Sequence, residues 1–535
     1  MKKLLLSVGL IFLFLFSVAQ VPTRSASDSV VLPGSDTARI VHIIRADKFR
    51  LIDKDTTKLN MFVGNVLIQQ GNTLISCDSV VQNQLLNQIE AFGNVHINDA
   101  DSVHTYSQYL KYLGDTRMAY LKKNVKLTDG KASLTTNELE YDLNSGIGIY
   151  KNNGKLVDGN NVLTSKEGFY YSDTKEAYFI KDVKLVSPDR TVATDTLLYN
   201  SEQDLFTIVT PTTIKDGNTV IKTSSGIYDA KNGVANFNSR TLIEDSSQQV
   251  IADNINFDKN SGEGTAEGNV IYRDTSQGVT ILAGTTAFNN KTKNVLATRK
   301  PVMIIKQDKD SIYVAADTLH SSMRLDTVSR KINDTTMAAA TTIKSGADSI
   351  RYFQAYRHVK IFSDSLQGVC DSLYYSAKDS VFRMYREPLV WSGENQISGD
   401  TIYMFTKNKQ PDQLYVFENG FAISRTKENF FNQISGNRIN GNFIEGKIDF
   451  MRAKGNAESV YYLQDDDSAY IGMNYAKADA ITMYFGNEGL RRVSWVNSVE
   501  ATAFPMNQIP DDKKKLRNFS WMDERRPKTR LELFQ

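Results

Sequence analysis

Apolar and polar residues alternate along most of the chain, and two short alternating patterns recur in turn. The first is Gly-Asn-Val-x-Ile, at Gly64-Asn65-Val66-Leu67-Ile68 and Gly93-Asn94-Val95-His96-Ile97. Looser copies stand at Asn124-Val125-Lys126-Leu127, Asp182-Val183-Lys184-Leu185, Gly268-Asn269-Val270 and His358-Val359-Lys360-Ile361. Residues two apart on a strand share a face. The pairs Val66 and Ile68, Val95 and Ile97, Val125 and Leu127, Val183 and Leu185, and Val359 and Ile361 are therefore expected to point inward, with Lys126, Lys184 and Lys360 outward. The second pattern, Asp-x-Leu-x-Tyr, is clearest at Asp195-Thr196-Leu197-Leu198-Tyr199, Asp253-Asn254-Ile255-Asn256-Phe257 and Asp371-Ser372-Leu373-Tyr374-Tyr375. It predicts another half-buried strand.

The apolar residue after that Asp marks the period. Val80, Leu110, Leu139, Phe169, Leu197, Ile227 and Ile255 make six steps over 175 residues, about 29 per repeat. The register runs on through Thr286 and Leu319, and Ile402 follows Leu373 by 29. The step from Leu319 to Leu373 is 54, and a loop from Ser321 to Gly346, rich in Ser, Thr, Asp and Ala, accounts for the surplus. Spacing loosens through Ile439 and Ile481. Each unit has room for three or four strands joined at Gly or Asn bends. One unit cannot bury its own apolar face, so stacking is required. The fold class expected is all-β, an elongated stack of the β-jellyroll or β-solenoid kind. At about 4.8 Å per unit, a dozen units would span roughly 55–60 Å.

Composition fits this reading. Proline is scarce at 10, and Tyr plus Phe reach 51, as strands favour. With 63 Lys plus Arg against 61 Asp plus Glu, bulk charge gives no reason to expect a nucleic-acid partner. Met1-Lys2-Lys3, the apolar run Leu4 to Val18 and Ser17-Val18-Ala19 before Gln20 form the three-part pattern of a cleaved secretory signal over residues 1–19. Beyond it no apolar run reaches the roughly 18 residues of a spanning helix. The expected layout is a linker at 20–39, repeats at 40–320, the loop at 321–346, further repeats at 347–500 and a charged tail at 501–535.

The 29-residue units, with Gly-Asn-Val-x-Ile and Ala316-Asp317-Thr318-Leu319, resemble the OstA-like repeats of lipopolysaccharide-transport proteins, whose fold is an open, twisted β-jellyroll or β-taco. The stretch Ala355-Tyr356-Arg357-His358-Val359-Lys360-Ile361 through Gly368-Val369-Cys370-Asp371-Ser372-Leu373 resembles the version found in Bacteroidota envelopes. The resemblance covers roughly Ile40 to Val499. It implies a periplasmic slide, associated with the outer membrane, in which acyl chains of lipopolysaccharide or a related amphiphile lie in an apolar trough. It also implies modules that join through edge strands, without covalent chemistry or a cofactor. Val66, Ile68, Val95, Ile97, Val125, Leu127, Val183, Leu185, Val359 and Ile361 are the candidate trough lining, and the same alternation would equally serve a plain core. The tail from Asp511 to Gln535 is short and charged, so the chain resembles the periplasmic component more than a barrel-bearing translocon. It is several times longer than the small bridging protein of that family.

Other chemistry is weighed on the same residues. Asp195, Asp253, Asp317, Asp371 and Asp400 would lie about 5 Å apart on successive rungs, the separation of a glycosidase carboxylate pair. Their recurrence favours bend caps over catalysis. His42, His96, His104, His320 and His358 show no metal-ligand spacing, and Asp465-Asp466-Asp467 reads as a solvated loop tip with a Ca²⁺ site as the alternative. Cys77 and Cys370 each precede a recurring Asp, nine units apart, so they are expected as free, buried thiols. The rival functions are a structural or adhesive β-solenoid, without affinity for amphiphiles, and a polysaccharide-active enzyme, which would need a unique carboxylate or His cluster.

Overall fold

The computed structural model describes residues 41–535 apart from 55–56, 100, 102, 172–173, 175, 201, 307–310, 326–348, 408–409, 427, 466, 468 and 487–488. The leader and linker expected at the N-terminus lie outside the described residues. The fold is all-β: antiparallel strands form a single sheet, following one another as a meander in the first rungs and pairing across intervening strands in the middle, and the only helical pieces among the described residues are short 3-10 turns near the C-terminus.

The long strands are bent, and the bend is written in the sequence. Thr57–Gln70 pairs with Thr73–Asn83 through Val63↔Ser79 and then Val66↔Cys77, so Gly64 and Asn65 together oppose Asp78 alone. This is a β-bulge. Gly64 and Asn65 have φ of 85° and 45°, and Gly93 and Asn94 repeat the pair at 69° and 47°. Two consecutive left-handed residues turn the strand sharply, and Gly and Asn bear that conformation at least cost. The inward Val and Ile then follow on a second arm. Every rung therefore has two arms that meet at a corner, and stacked rungs make two ladders sharing one spine.

The two sequence patterns are the two halves of that corner. The Nδ2 of Asn65, Asn94 and Asn269 donates to the carboxylate of Asp47, Asp78 and Asp253 on the preceding rung at 2.9, 3.0 and 2.8 Å. Asn419 does the same to Asp400 at 3.1 Å, and His358 pairs with Asp317 at 2.9 Å. At these five corners the Asp is thus held by the side chain of the neighbouring corner, where local backbone had been expected, whereas Asp195 accepts from the adjacent Thr196 hydroxyl. A Cβ on Gly268 would stand 2.6 Å from Asp253 Oδ2. Gly268→Val is expected to cost about 1–3 kcal/mol through strained backbone alone, lowering the urea midpoint, whereas Gly71→Ala, with nothing within 4 Å of its Cβ, should cost less.

Three expectations change. One 29-residue repeat contains two hydrogen-bonded rungs, out and back, so it advances the stack by about 9.5 Å rather than 4.8 Å; a dozen units reach on the order of 115 Å. The recurring Asp residues are therefore farther apart than a glycosidase pair. The marker also slips at two rungs, where Phe169 is half-buried and Ile227 is 46% exposed. Gly168 and Gly226 take the inward seats, and a Cβ on Gly168 would lie 2.5 Å from the Tyr150 ring, which fills the space. Finally, Ser321–Leu325 belongs to the strand Thr318–Leu325, paired with Ser349–Phe362. The other arm continues as Tyr313↔Phe362, so the ladders pass the insertion unbroken.

The tail is packed. After the strand Glu500–Pro505 the chain turns back across the outer face of one arm. Leu516 joins Phe421, Ile423, Val460, Tyr462 and Met473; Met522 packs on Trp391 and Leu389; Leu533 reaches Val302 and Ala315. Two outward glutamines clasp its backbone. Gln433 donates to Lys514 O at 2.9 Å and accepts from Leu516 N at 2.8 Å, and Gln396 does the same with Ser520 O and Met522 N at 2.7 Å each. Gln367 Oε1 accepts from Arg526 at 2.9 and 2.6 Å.

Candidate ligand trough

The inner faces of the two arms form one apolar layer. Val66, Val95, Val125, Val183 and Val359 sit beside the corner, and Ile68, Ile97, Leu127, Leu185 and Ile361 lie two residues farther toward the open side. Eight of these ten are at most 5% exposed, and Ile97 and Leu127 are partly buried against the same core. Val80, Leu110, Leu121, Phe179, Leu197 and Leu373 face them from the other arm within that cluster. Lys126, Lys184 and Lys360 point outward and are exposed. The structure places all ten residues on this inner face.

Among the described residues no ladder joins the two arms except through the corner, so in its hydrogen bonding the cross-section is open. Side chains close it. At the mouth Asp216, on the strand Thr212–Asp216, accepts from Tyr228 Oη at 3.0 Å and from Lys259 Nζ at 2.8 Å, both from the opposite arm. Arg190 lies beside them, its Nε 3.7 Å from Asp216 and its guanidinium 5.2 Å from the Tyr228 ring centroid. Farther along, Arg351 bridges the arms to Asp274 and donates to Ser321 Oγ at 2.8 Å. Asp274 and Arg351 are 1% and 6% exposed.

Burial alone would raise the Asp216 carboxyl, but hydrogen bonds from Lys259 and Tyr228 and the charges of Lys259 and Arg190 bring it below its ordinary range. A carboxyl with a depressed folded pKa contributes stability at neutral pH that is lost as pH falls through that lowered value. The clasp is therefore expected to persist through mild acid. Asp216, Asp245 and Asp274 stand 29 residues apart, at inward parity after Ile214, Ile243 and Tyr272. That charged residue in an inward seat was the overlooked signal.

Other polar features frame the trough. Thr212 donates to Thr194 and Thr241 to Thr223 at 2.8 and 2.7 Å, a buried hydroxyl ladder replacing Gly-Asn corners in the middle of the stack. A cavity of about 190 Å³ opens at the mouth over Leu163, Leu185 and Phe206, rimmed by Asp158, Arg190 and Asp204. A larger groove, about 1190 Å³, is lined by corner residues including Asp317, Arg357, Asp371, Arg386 and Asp400. Its four carboxylates outnumber its two arginines, and they are partly paired, as in Arg386 with Asp371 at 3.6 Å. His96 Nε2 lies 3.1 Å from His104 Nδ1 and stacks on Tyr106. Among the described residues no three His, Cys, Asp or Glu side chains converge as a metal site.

Cys77 and Cys370 are free and buried, as expected. Burial pushes both thiols up to about 12, so the reactive thiolate is scarce at neutral pH. Neither should react with iodoacetamide in the folded protein at pH 8, and both should once it is unfolded; rapid native labelling would show that the arms part readily.

Residues 38–195 match the family described as OstA-like protein, and residues 147–244 match one described as lipopolysaccharide-assembly, LptC-related. No curated protein matches. Among solved structures, the chain is similar to LptH, the LptA homologous periplasmic component of the lipopolysaccharide transport device from Pseudomonas aeruginosa. Identity is 18%, over 20% of this chain and 80% of that one, with a TM-score of 0.18. The corners at Gly64-Asn65 and Gly93-Asn94, with their partners Asp47 and Asp78, fall inside the first of these matches, and over residues 38–195 the chain is similar to the OstA-like family.

Proposed function

We propose that this chain is a non-enzymatic periplasmic carrier of lipopolysaccharide or a related amphiphile, one part of a bridge toward the outer membrane. The observation that carries this reading is the trough: two apolar inner faces whose strand ladders, among the described residues, meet only at the corner, floored by Val66, Ile68, Val95, Ile97, Val125, Leu127, Val183, Leu185, Val359 and Ile361 and rimmed by charge. Acyl chains enter from the side when the arms part, each methylene gaining about 0.8 kcal/mol on leaving water. The headgroup stays at the mouth. The match of residues 147–244 to a family described as lipopolysaccharide-assembly, LptC-related, supports the same class of ligand.

The end rungs suit the joining of modules. His42–Arg45 and Lys48–Lys54 pair with Thr57–Gln70 on one side, and Gly489–Val496 and Glu500–Pro505 pair with Tyr470–Gly486 on one side. Phe49 and Leu51 on the first rung are exposed. Such edges accept another strand ladder. In a competition assay with the purified protein, lipopolysaccharide should displace a fluorescent fatty acid from the trough. Failure to bind either ligand would favour the structural, fibre-like alternative.

A further inference from the structure

The mouth holds more donors than its own carboxylates use. Arg190 Nε, Gln248 Nε2 and Arg351 Nε are buried without a hydrogen-bond partner. Gln248 lies directly across the ladder from Asp274, the carboxylate that Arg351 grips. Arg190 lies directly across from Asp216, which Lys259 grips. A buried donor left unsatisfied costs about 1–3 kcal/mol, so three of them along one stripe call for an acceptor-rich group. Both cations that cross the mouth, Lys259 and Arg351, come from the arm opposite their carboxylate. The two pairs are 58 residues apart, which is two repeats, or about 19 Å along the stack.

We propose that Asp216 and Asp274 stand in for the phosphates of an amphiphile, and that Lys259, Arg351 and Arg190 are its headgroup-anchoring residues. In the empty protein each carboxylate occupies its cation and draws the arms together. When acyl chains part the arms, a headgroup phosphate takes the carboxylate's place on Lys259 or Arg351 and accepts from the spare N–H groups. Asp216 and Asp274 then turn to solvent. No bond is made or broken. The inference rests on the carrier reading and adds which headgroup chemistry is recognised and where.

The test measures binding of bis-phosphorylated lipid A, the same lipid after dephosphorylation, and inorganic phosphate to the full chain. The variants are Lys259→Met, Asp216→Asn and the double change Arg351→Met with Asp274→Leu, which leaves no buried charge unpaired. The expected result is about tenfold tighter binding of the phosphorylated lipid to the wild type, the worth of one charge-assisted hydrogen bond. Lys259→Met and the double variant should lose that preference while still binding the dephosphorylated lipid. Asp216→Asn should strengthen it. Equal binding of both lipids by the wild type would overturn the headgroup site and leave the carrier reading intact. Binding of neither lipid would instead sink the carrier reading. Millimolar inorganic phosphate that breaks the clasps without any lipid would show that free phosphate, not a lipid headgroup, is the ligand.

Discussion

Arg351→Met is expected to destabilise the fold by about 3–5 kcal/mol, because it leaves a buried carboxylate without its counter-ion. Asp274 is 1% exposed, and its clasp crosses from the strand Glu263–Asp274 to the strand Ser349–Phe362. The chain between those strands includes the insertion, so losing the clasp removes a tie between distant segments. Adding Asp274→Leu should return most of the loss, since replacing both charges by apolar groups is often neutral or better. Urea unfolding at pH 7 reads the midpoint. Amide exchange reads where the ladder loosens, which matters because a repeat array need not unfold as one unit. Equal stability of the single and double variants would mean that the pair is not the clasp described here.

Removing residues 506–535 is expected to have the other large effect. Trp391 is fully buried between Leu389, Val369 and Met522, with its Nε1 donating to Gln396 at 3.3 Å. Phe421, Ile423, Val460, Tyr462 and Met473 lose Leu516 and the other tail residues above them. Each large apolar side chain so exposed forfeits up to about 1.5–3 kcal/mol, and the freed chain entropy returns part of this. Trp391 emission should shift to the red, a hydrophobic dye should bind, and the urea midpoint of the C-terminal rungs should fall. The substitutions Gln396→Leu and Gln433→Leu together should loosen the tail without removing it, because four hydrogen bonds to its backbone come from those two amides. An unchanged Trp391 emission maximum after truncation, read with Trp495 and Trp521 replaced by Phe in both proteins, would mean that the tail does not cover this face in solution.

The spine of this fold was legible because its chemistry is local. Gly-Asn supplies two consecutive left-handed residues, and Val and Ile at parity after it declare the inward face. Phe169 and Ile227 misled the count of faces because their inward neighbours are glycines, Gly168 making room for the Tyr150 ring and Gly226 for the backbone of Asn236 and Phe237, contacts no periodicity reports. The length per repeat was halved because a 29-residue unit does not say whether it closes one coil or goes out and back. Asp216 and Asp274 carry a readable signal, a charge in an inward seat, but their partners Lys259 and Arg351 lie 43 and 77 residues away. The tail reads as charged between Asp511 and Lys515, yet Leu516, Phe519, Trp521, Leu533 and Phe534 alternate with those charges and dock on an outer face that has no sequence mark of its own.

Photocrosslinking in living cells tests the central claim most directly, with a photoreactive residue placed at Ile97 or Val183, inside the trough, or at Lys184, outside it. The trough reading predicts a lipopolysaccharide adduct from Ile97 and Val183 and none from Lys184. Folded, exported protein that yields no adduct from either inward position would contradict it, and would leave a long β-stack whose core serves only to hold it together.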